Sequence, residues 1–205
     1  VIPPYEMTYA LYENAMQNGV EYLLDSKVIK ISKESPGFLI TAREHEIRAE
    51  YIINAAGVYA DEVAALVGAD NFKVRPRKGE EYILDKRLDN INNHIIFPTP
   101  TPTSKGILVI KTIEGSTMIG PTAEDIDDKE DLSTSEEGLM KILNFVHTMI
   151  PGINKKDIIA SFAGLRPIAN TNDFVVEESK TVNRFINAAG IQSPGLTAAP
   201  AIALM

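Results

Sequence analysis

Phe185-Ile186-Asn187-Ala188-Ala189-Gly190-Ile191-Gln192-Ser193-Pro194-Gly195-Leu196-Thr197 reads as a short buried strand, a small-residue turn and the start of a helix. Ser193 is of the type that caps a helix, and Pro194 suits a first turn. The first N–H groups of that helix, near Gly195 to Thr197, would point at whatever lies before them, favouring negative charge or an electron-rich carbonyl. Gly195 carries no side chain, so the backbone there is open to a flat ligand.

The same phrase occurs earlier. Ile53-Asn54-Ala55-Ala56-Gly57 matches Ile186-Asn187-Ala188-Ala189-Gly190 residue for residue. It too follows an apolar run and precedes an apolar helix. In open α/β sheets ligands lie beyond the carboxyl ends of strands, so two such corners point to two places where backbone approaches one ligand. The plainer explanation is a pair of close-packed strand–helix corners that need small residues. The repetition favours a shared site.

The chain of 205 residues is long enough for one large or two small domains with a real core. A net charge of −8 argues against generic nucleic-acid binding. The lack of cysteine excludes disulfides, thiolate zinc and iron–sulfur clusters within the chain. There is no secretory apolar segment and no apolar run of ~18 residues that would cross a membrane. Val1 is not a natural start and Met205 lies inside an apolar helical pattern, so a piece of a longer protein is expected.

Pro3-Pro4 leads into a helix expected over 5–17, with Met7, Leu11 and Ala15 on one face and Asn18-Gly19 ending it. Strands are expected at 20–24, 27–32, 38–42 and 46–53, a small antiparallel meander that feeds the first Asn-Ala-Ala-Gly turn. A helix follows at 61–67. Further strands are expected at 80–85, 94–97, 106–111 and 116–120, the last two as a hairpin around Glu114-Gly115. Thr134-Ser135-Glu136-Glu137 is a capping-box start for a helix reaching 149, with Leu139, Ile142, Leu143 and Val146 on one face. Strands at 157–165, broken by Arg166-Pro167, at 174–177 and at 185–187 complete the chain. The fold class is α+β. Residues 72–164 form a mostly antiparallel sheet with one covering helix, and the flanking parts belong to another domain that the chain leaves and re-enters.

Few residues offer chemistry. Arg166, in Gly164-Leu165-Arg166-Pro167, ends an apolar strand and presents a fork of donors suited to a carboxylate or phosphate. A structural ion pair is the alternative. Arg75, Arg77 and Lys78 form a basic knot beside Gly79, which is either an anion pocket or a charged strand edge. His94 is a candidate general base, though a lone histidine is commonly just packed or exposed. His45 and His147 have no partners at metal-ligand spacing, so no metal is assigned. The six acidic residues within 124–131 read as a solvated loop and do not fit a calcium loop. No Gly-x-Gly occurs, so the phosphate-cradling loop of a dinucleotide fold is not in this sequence.

Five motifs occur in order: Asn54-Ala55-Ala56-Gly57, Arg75-Pro76-Arg77-Lys78-Gly79-Glu80, Gly120-Pro121-Thr122-Ala123-Glu124, Gly164-Leu165-Arg166-Pro167, and Gly190-Ile191-Gln192-Ser193-Pro194-Gly195. Together they resemble the FAD-dependent oxidoreductases of the D-amino-acid oxidase superfamily, and within it glycerol-3-phosphate dehydrogenases and the related L-2-hydroxyglutarate oxidases. The resemblance covers nearly the whole chain. It implies that residues 1–70 and 166–205 are pieces of a Rossmann-like FAD domain and that 71–165 is the substrate domain.

By that resemblance Val28 lies beside the adenine through its main chain, and Ala55, Ala56 and Gly57 line the diphosphate or ribose. Gly190, Ile191, Gln192, Ser193, Gly195, Leu196 and Thr197 run under the flavin, whose N1–C2=O gains negative charge on reduction. Arg166 grips a small anionic substrate, with Arg77 and Lys78 near it. A hydride passes from the carbon bearing a hydroxyl to flavin N5, and His94 takes the hydroxyl proton. The substrate implied is sn-glycerol 3-phosphate, with L-2-hydroxyglutarate or another 2-hydroxy or amino acid as the alternative. A non-catalytic binding module is the alternative of another class. The resemblance further implies an electron acceptor (oxygen, a quinone or a partner protein) and a cytoplasmic location, with peripheral contact at the inner membrane face. The family's N-terminal Gly-x-Gly-x-x-Gly unit is not in this sequence, so the fragment alone is expected to be inactive and colourless.

Overall fold

The computed structural model describes residues 2–69, 71–99 and 106–205. The fold is α+β with mostly antiparallel sheets. Its contacts divide the chain into two units. A flanking unit comprises Thr8–Pro76 and Arg166–Met205, and an inserted unit comprises Val1–Met7 and Arg77–Leu165.

Helix α1 (Pro4–Gln17) buries none of its residues. The expected strand at 20–24 does not form. Val20, Tyr22, Leu23 and Leu24 are exposed, and no ladder partner borders them. Apolar composition alone cannot make a strand where the backbone has nothing to pair with. Tyr22 instead packs its ring on Tyr12, 4.4 Å between centroids.

In the flanking unit β1 (Val28–Glu34), β2 (Gly37–Ala42) and β3 (His45–Ala49) form the expected antiparallel meander. A second sheet holds β4 (Ile52–Asn54), β10 (Val175–Glu178) and β11 (Phe185–Ala189) in the order β10-β11-β4. β11 and β4 are parallel, with Phe185 opposite Ile52, Ile186 opposite Ile53 and Asn187 opposite Asn54. A short 3-10 turn (Gly57–Tyr59) leads from β4 into α2 (Ala60–Ala65). Ala60 and Ala64 of α2 pack with Phe38, Phe72, Val74, Val175 and Phe185 in one core. Phe38 meets Phe185 edge-on at 6.4 Å, a favoured aromatic geometry. Buried Asp61 accepts the Val74 N–H at 3.1 Å, tying α2 to the strand that follows. The unit closes with α4 (Gly195–Ile202).

The inserted unit is built on β5 (Val74–Leu84), β6 (Leu108–Lys111), β7 (Thr117–Gly120) and β8 (Glu124–Asp125), in the order β6-β7-β5-β8, with β9 (Ile158–Ala169) also paired to β5. α3 (Glu136–Val146) covers the sheet. Ser135 caps it, its Oγ accepting the Gly138 N–H at 2.9 Å. Leu139, Ile142, Leu143 and Val146 form the buried stripe, packed with Tyr82, Leu84, Val109 and Ile119.

Four strand boundaries differ from the sequence reading. The strand expected over 46–53 divides into β3 of the meander and β4 of the second sheet, with Glu50 and Tyr51 between them. β5 runs unbroken through the basic knot rather than starting at Glu80, so Gly79 is a buried strand residue and not a turn. β9 continues past Arg166 and Pro167 to Ala169, because the fixed φ of proline suits an extended chain. The strand expected at 94–97 reduces to one bridge, Ile96 to Val109. The acidic run is not simply solvated, since Asp125 and Glu124 pair as β8 against Arg77 and Lys78 of β5.

Candidate functional site

The two copies of Ile-Asn-Ala-Ala-Gly lie side by side at the carboxyl ends of two adjacent parallel strands. Gly57 has φ +58 and Gly190 φ +65, the left-handed region that favours glycine. The two glycines have different neighbours. A Cβ on Gly57 would meet nothing within 4 Å, whereas one on Gly190 would lie 2.7 Å from Ala169 Cβ. The first corner is open to a ligand; the second is closed by packing behind it.

Asn54 organises the first corner. Its Nδ2 donates to Ala60 O at 2.8 Å and to Asn187 Oδ1 at 3.0 Å. Its Oδ1 accepts the Ala56 N–H at 3.4 Å. Both asparagines are buried, at 2% and 0% exposure. Asn187 Nδ2 has no hydrogen-bond partner among the described residues. The sequence showed these residues as part of a repeat but not as a bonded pair.

Beyond the second corner, the Gln192 N–H donates to Gly190 O at 3.0 Å and the Gly195 N–H to Gln192 O at 2.6 Å. Two expectations are corrected here. Pro194, not Ser193, is the cap residue of α4, and no side chain caps it. Gly195 is not bare to a ligand, because a Cβ there would lie 2.6 Å from Ile191 Cγ2. Its N–H serves the turn rather than pointing outward. Ile191, Gln192 and Leu196 are half-buried, while Ser193 and Thr197 are exposed. Thr197 Oγ1 donates to Pro194 O at 2.8 Å.

Ala55 and Gly57 are exposed and Ala56 is half-buried. Val28 opens β1 opposite Ala42 and packs half-buried against the core. Arg166 is half-buried on β9 within the flanking unit.

The remaining candidates belong to the inserted unit. Arg77 donates to both oxygens of Asp125, at 2.5 and 3.1 Å, and that bond raises its pKa. Lys78 is buried and donates to Asp131 at 2.7 Å. This bond raises the Lys78 pKa and is the largest cause of the low pKa of Asp131. His94 is exposed in a loop, where its carbonyl accepts the Asn92 side-chain amide at 3.1 Å. Among the described residues no group of three His, Cys, Asp or Glu side chains could hold a metal ion.

The burial of Glu80 also escaped the sequence reading. Glu80, 1% exposed, accepts from the Tyr82 hydroxyl at 2.7 Å, the Ser135 N–H at 2.9 Å and the Ser135 hydroxyl at 3.0 Å. Burial, then this carboxylate, pushes the Tyr82 hydroxyl pKa upward. The alternation of β5 places Glu80 on the buried face; only its tertiary partners explain a charge there.

The family model of FAD dependent oxidoreductases, DAO, matches residues 1–205. The chain belongs to this family. It is 40% identical over 204 residues to a glycerol 3-phosphate dehydrogenase of Caloramator mitchellensis, a match covering 100% of this chain and 42% of that protein. A glycerol 3-phosphate oxidase of Mycoplasma genitalium is 36% identical over 210 residues, covering 99% and 54%. Among solved structures, dithionite-reduced L-alpha-glycerophosphate oxidase from Mycoplasma pneumoniae with FAD bound superposes with a TM-score of 0.86 at 34% identity, over 94% of this chain and 52% of that one. An L-2-hydroxyglutarate dehydrogenase of Escherichia coli K12 is more distant, 28% identical over 122 residues. The chain spans about half the length of these two curated relatives, 42% and 54%.

The residues present fit the family's FAD in part. Two small-residue corners at the carboxyl ends of parallel strands, one of them unobstructed, let backbone approach a dinucleotide. No helix among the described residues is long and apolar enough to cross a membrane.

Proposed function

We propose that this chain is part of an enzyme that oxidises sn-glycerol 3-phosphate with FAD. The flanking unit contributes to the FAD-binding domain and the inserted unit to the substrate domain. The observation that carries the reading is the parallel register of Asn54 with Asn187, which brings both Ala-Ala-Gly corners to one edge of one sheet.

In this reading Ala55, Ala56 and Gly57 present backbone to the diphosphate or ribose of FAD, with the main chain of Val28 toward the adenine. The segment from Gly190 through Ile191, Gln192, Ser193, Gly195, Leu196 and Thr197 underlies the flavin. FAD, when bound, supplies the acceptor for a hydride from the carbon that bears the substrate hydroxyl. Arg166 anchors the phosphate through its guanidinium fork. His94 takes the hydroxyl proton. Arg77 and Lys78 are engaged by Asp125 and Asp131, so a substrate anion would compete with those carboxylates for them.

The electrons leave to an acceptor that is oxygen, a quinone or a protein.

The test is anaerobic reduction of the full-length protein. Flavin absorbance bleached by sn-glycerol 3-phosphate, and not by L-2-hydroxyglutarate, is the expected result. A full-length protein that takes up no FAD, or whose flavin glycerol phosphate fails to reduce, would end the reading. L-2-hydroxyglutarate remains the second reading because a guanidinium serves a carboxylate as well as a phosphate.

A further inference from the structure

We propose that Asn54 and Asn187 form a carboxamide clasp that positions the two Ala-Ala-Gly corners for FAD, a role that rests on the reading just given. Three observations carry it. The two side chains are directly opposite in the parallel register and bonded at 3.0 Å. Asn54 spends its other hydrogen-bonding capacity on its own corner, at Ala56 N–H and Ala60 O. Asn187 Nδ2 is buried with no acceptor among the described residues.

The third observation separates positioning from packing. An aliphatic residue at 187 would leave no donor unbonded there, whereas one at 54 would strand the Ala56 N–H and the Ala60 carbonyl. Removing both polar partners together is nearly neutral when packing is all that matters. A pair that retains an unsatisfied donor is therefore doing something an apolar pair would not. The clasp joins the first residue before each corner, so the spacing between Ala55 and Ala188 is set by two short side chains rather than by the backbone ladder alone. The ladder ends at this point on β4, and without the clasp the first corner is free to drift from the second. Asn54 and Asn187 are positioning residues: each acts through the backbone that follows it.

The test uses the full-length protein with Asn54→Leu, Asn187→Leu and the double variant. The readouts are the FAD dissociation constant, from flavin fluorescence titration, and the melting temperature of the FAD-free protein. Asn187→Leu removes the clasp and its unbonded donor but keeps the Asn54 bonds to Ala56 and Ala60, so it is expected to retain most of the melting temperature while its FAD affinity falls at least tenfold. Asn54→Leu, alone or combined, also strands the Ala56 N–H and the Ala60 carbonyl and is expected to lower both stability and affinity. An Asn187→Leu variant that binds FAD within twofold of wild type, or that loses affinity only in step with a large fall in melting temperature, overturns the clasp and leaves the pair a packing feature. Asn187→Ala gives the same comparison if the leucine variant does not fold. A wild-type protein that binds no FAD overturns the reading beneath the clasp, a different outcome from wild-type binding matched by Asn187→Leu.

Discussion

Glu80 caps α3 from a neighbouring strand: its carboxylate accepts both the N–H and the hydroxyl of Ser135, the residue at which the helix begins. The negative charge lies at the positive end of the helix dipole, which is the favourable sense. Gly138 in the first turn makes room for it, since a Cβ there would lie 2.3 Å from Glu80 Oε2. Gly138→Ala is therefore expected to destabilise the inserted unit by about 1–3 kcal/mol. Glu80→Ala removes the bond to the Ser135 N–H and one of two acceptors of the Tyr82 hydroxyl, which keeps Ser135 O at 3.1 Å, and is expected to cost about 1–3 kcal/mol. Urea unfolding followed by tyrosine fluorescence checks both. An unchanged midpoint for Gly138→Ala would mean that Glu80 moves aside freely.

The two corner glycines are expected to respond differently to alanine. Gly190→Ala meets Ala169 Cβ at 2.7 Å and Asp173 O at 3.3 Å on top of an unfavourable φ. Gly57→Ala meets only the backbone strain, about 1–2 kcal/mol. The melting temperature should fall further for Gly190→Ala. FAD affinity relative to stability should fall further for Gly57→Ala, whose new methyl group faces open space on the side proposed for FAD. The two effects are read from thermal melts and flavin titration on the same samples.

The Lys78–Asp131 pair gives the inserted unit a pH signature. The Lys78 hydrogen bond, followed by those from Ser133, holds the Asp131 carboxyl well below the usual carboxylate range. A pKa depressed by folding adds stability above the unfolded value near 3.9 and loses it as pH falls toward the folded value. Lys78 is raised instead, so its contribution holds below about 10.4 and is lost only as pH climbs past the folded value. Asp131→Asn should lower stability at pH 7 and shrink the loss on going from pH 5 to pH 2. Urea midpoints at those three pH values test this; an unaltered acid-side loss would mean that other carboxylates, such as Asp157, carry it.

Arg166→Ala in the full-length protein is expected to reduce kcat/KM for glycerol 3-phosphate about 10- to 150-fold, the loss of one charge-assisted hydrogen-bonding group. Arg166→Lys should recover only part of this, since an ammonium cannot reproduce the planar fork. Steady-state kinetics with an artificial electron acceptor give the comparison. A change within threefold for Arg166→Ala would remove Arg166 as the anchor.

The sequence made some of this legible for physical reasons. The repeated Ile-Asn-Ala-Ala-Gly became a parallel register because identical strand ends suit identical neighbours. The apolar stripe of α3 is local and stands in the structure, as does a cap at Ser135. The expected capping box does not close, because Gly138 occupies the third helical position and has no side chain to reach back. What escaped depended on partners distant in the chain. Lys78 looks like a surface charge until Asp131 meets it from 53 positions away. Glu80 looks like a misplaced carboxylate until Ser135 arrives from 55. Val20 to Leu24 has the composition of a strand and lacks only a ladder to join. Ser193 has the right chemistry for a cap, but the turn closed by the Gly195 N–H on Gln192 O starts the helix one residue later.

A ribosome finishes Asn54 long before it reaches Asn187. At roughly 5–20 residues per second the 133 positions between them take roughly 7–27 s to synthesise. During that interval β4 has no parallel neighbour from this stretch of chain, and the nascent first corner cannot be completed. Synonymous codons that slow elongation between the two asparagines would lengthen the exposure of that unfinished edge, so the yield of folded protein becomes sensitive to messenger sequence as well as to the residues it encodes.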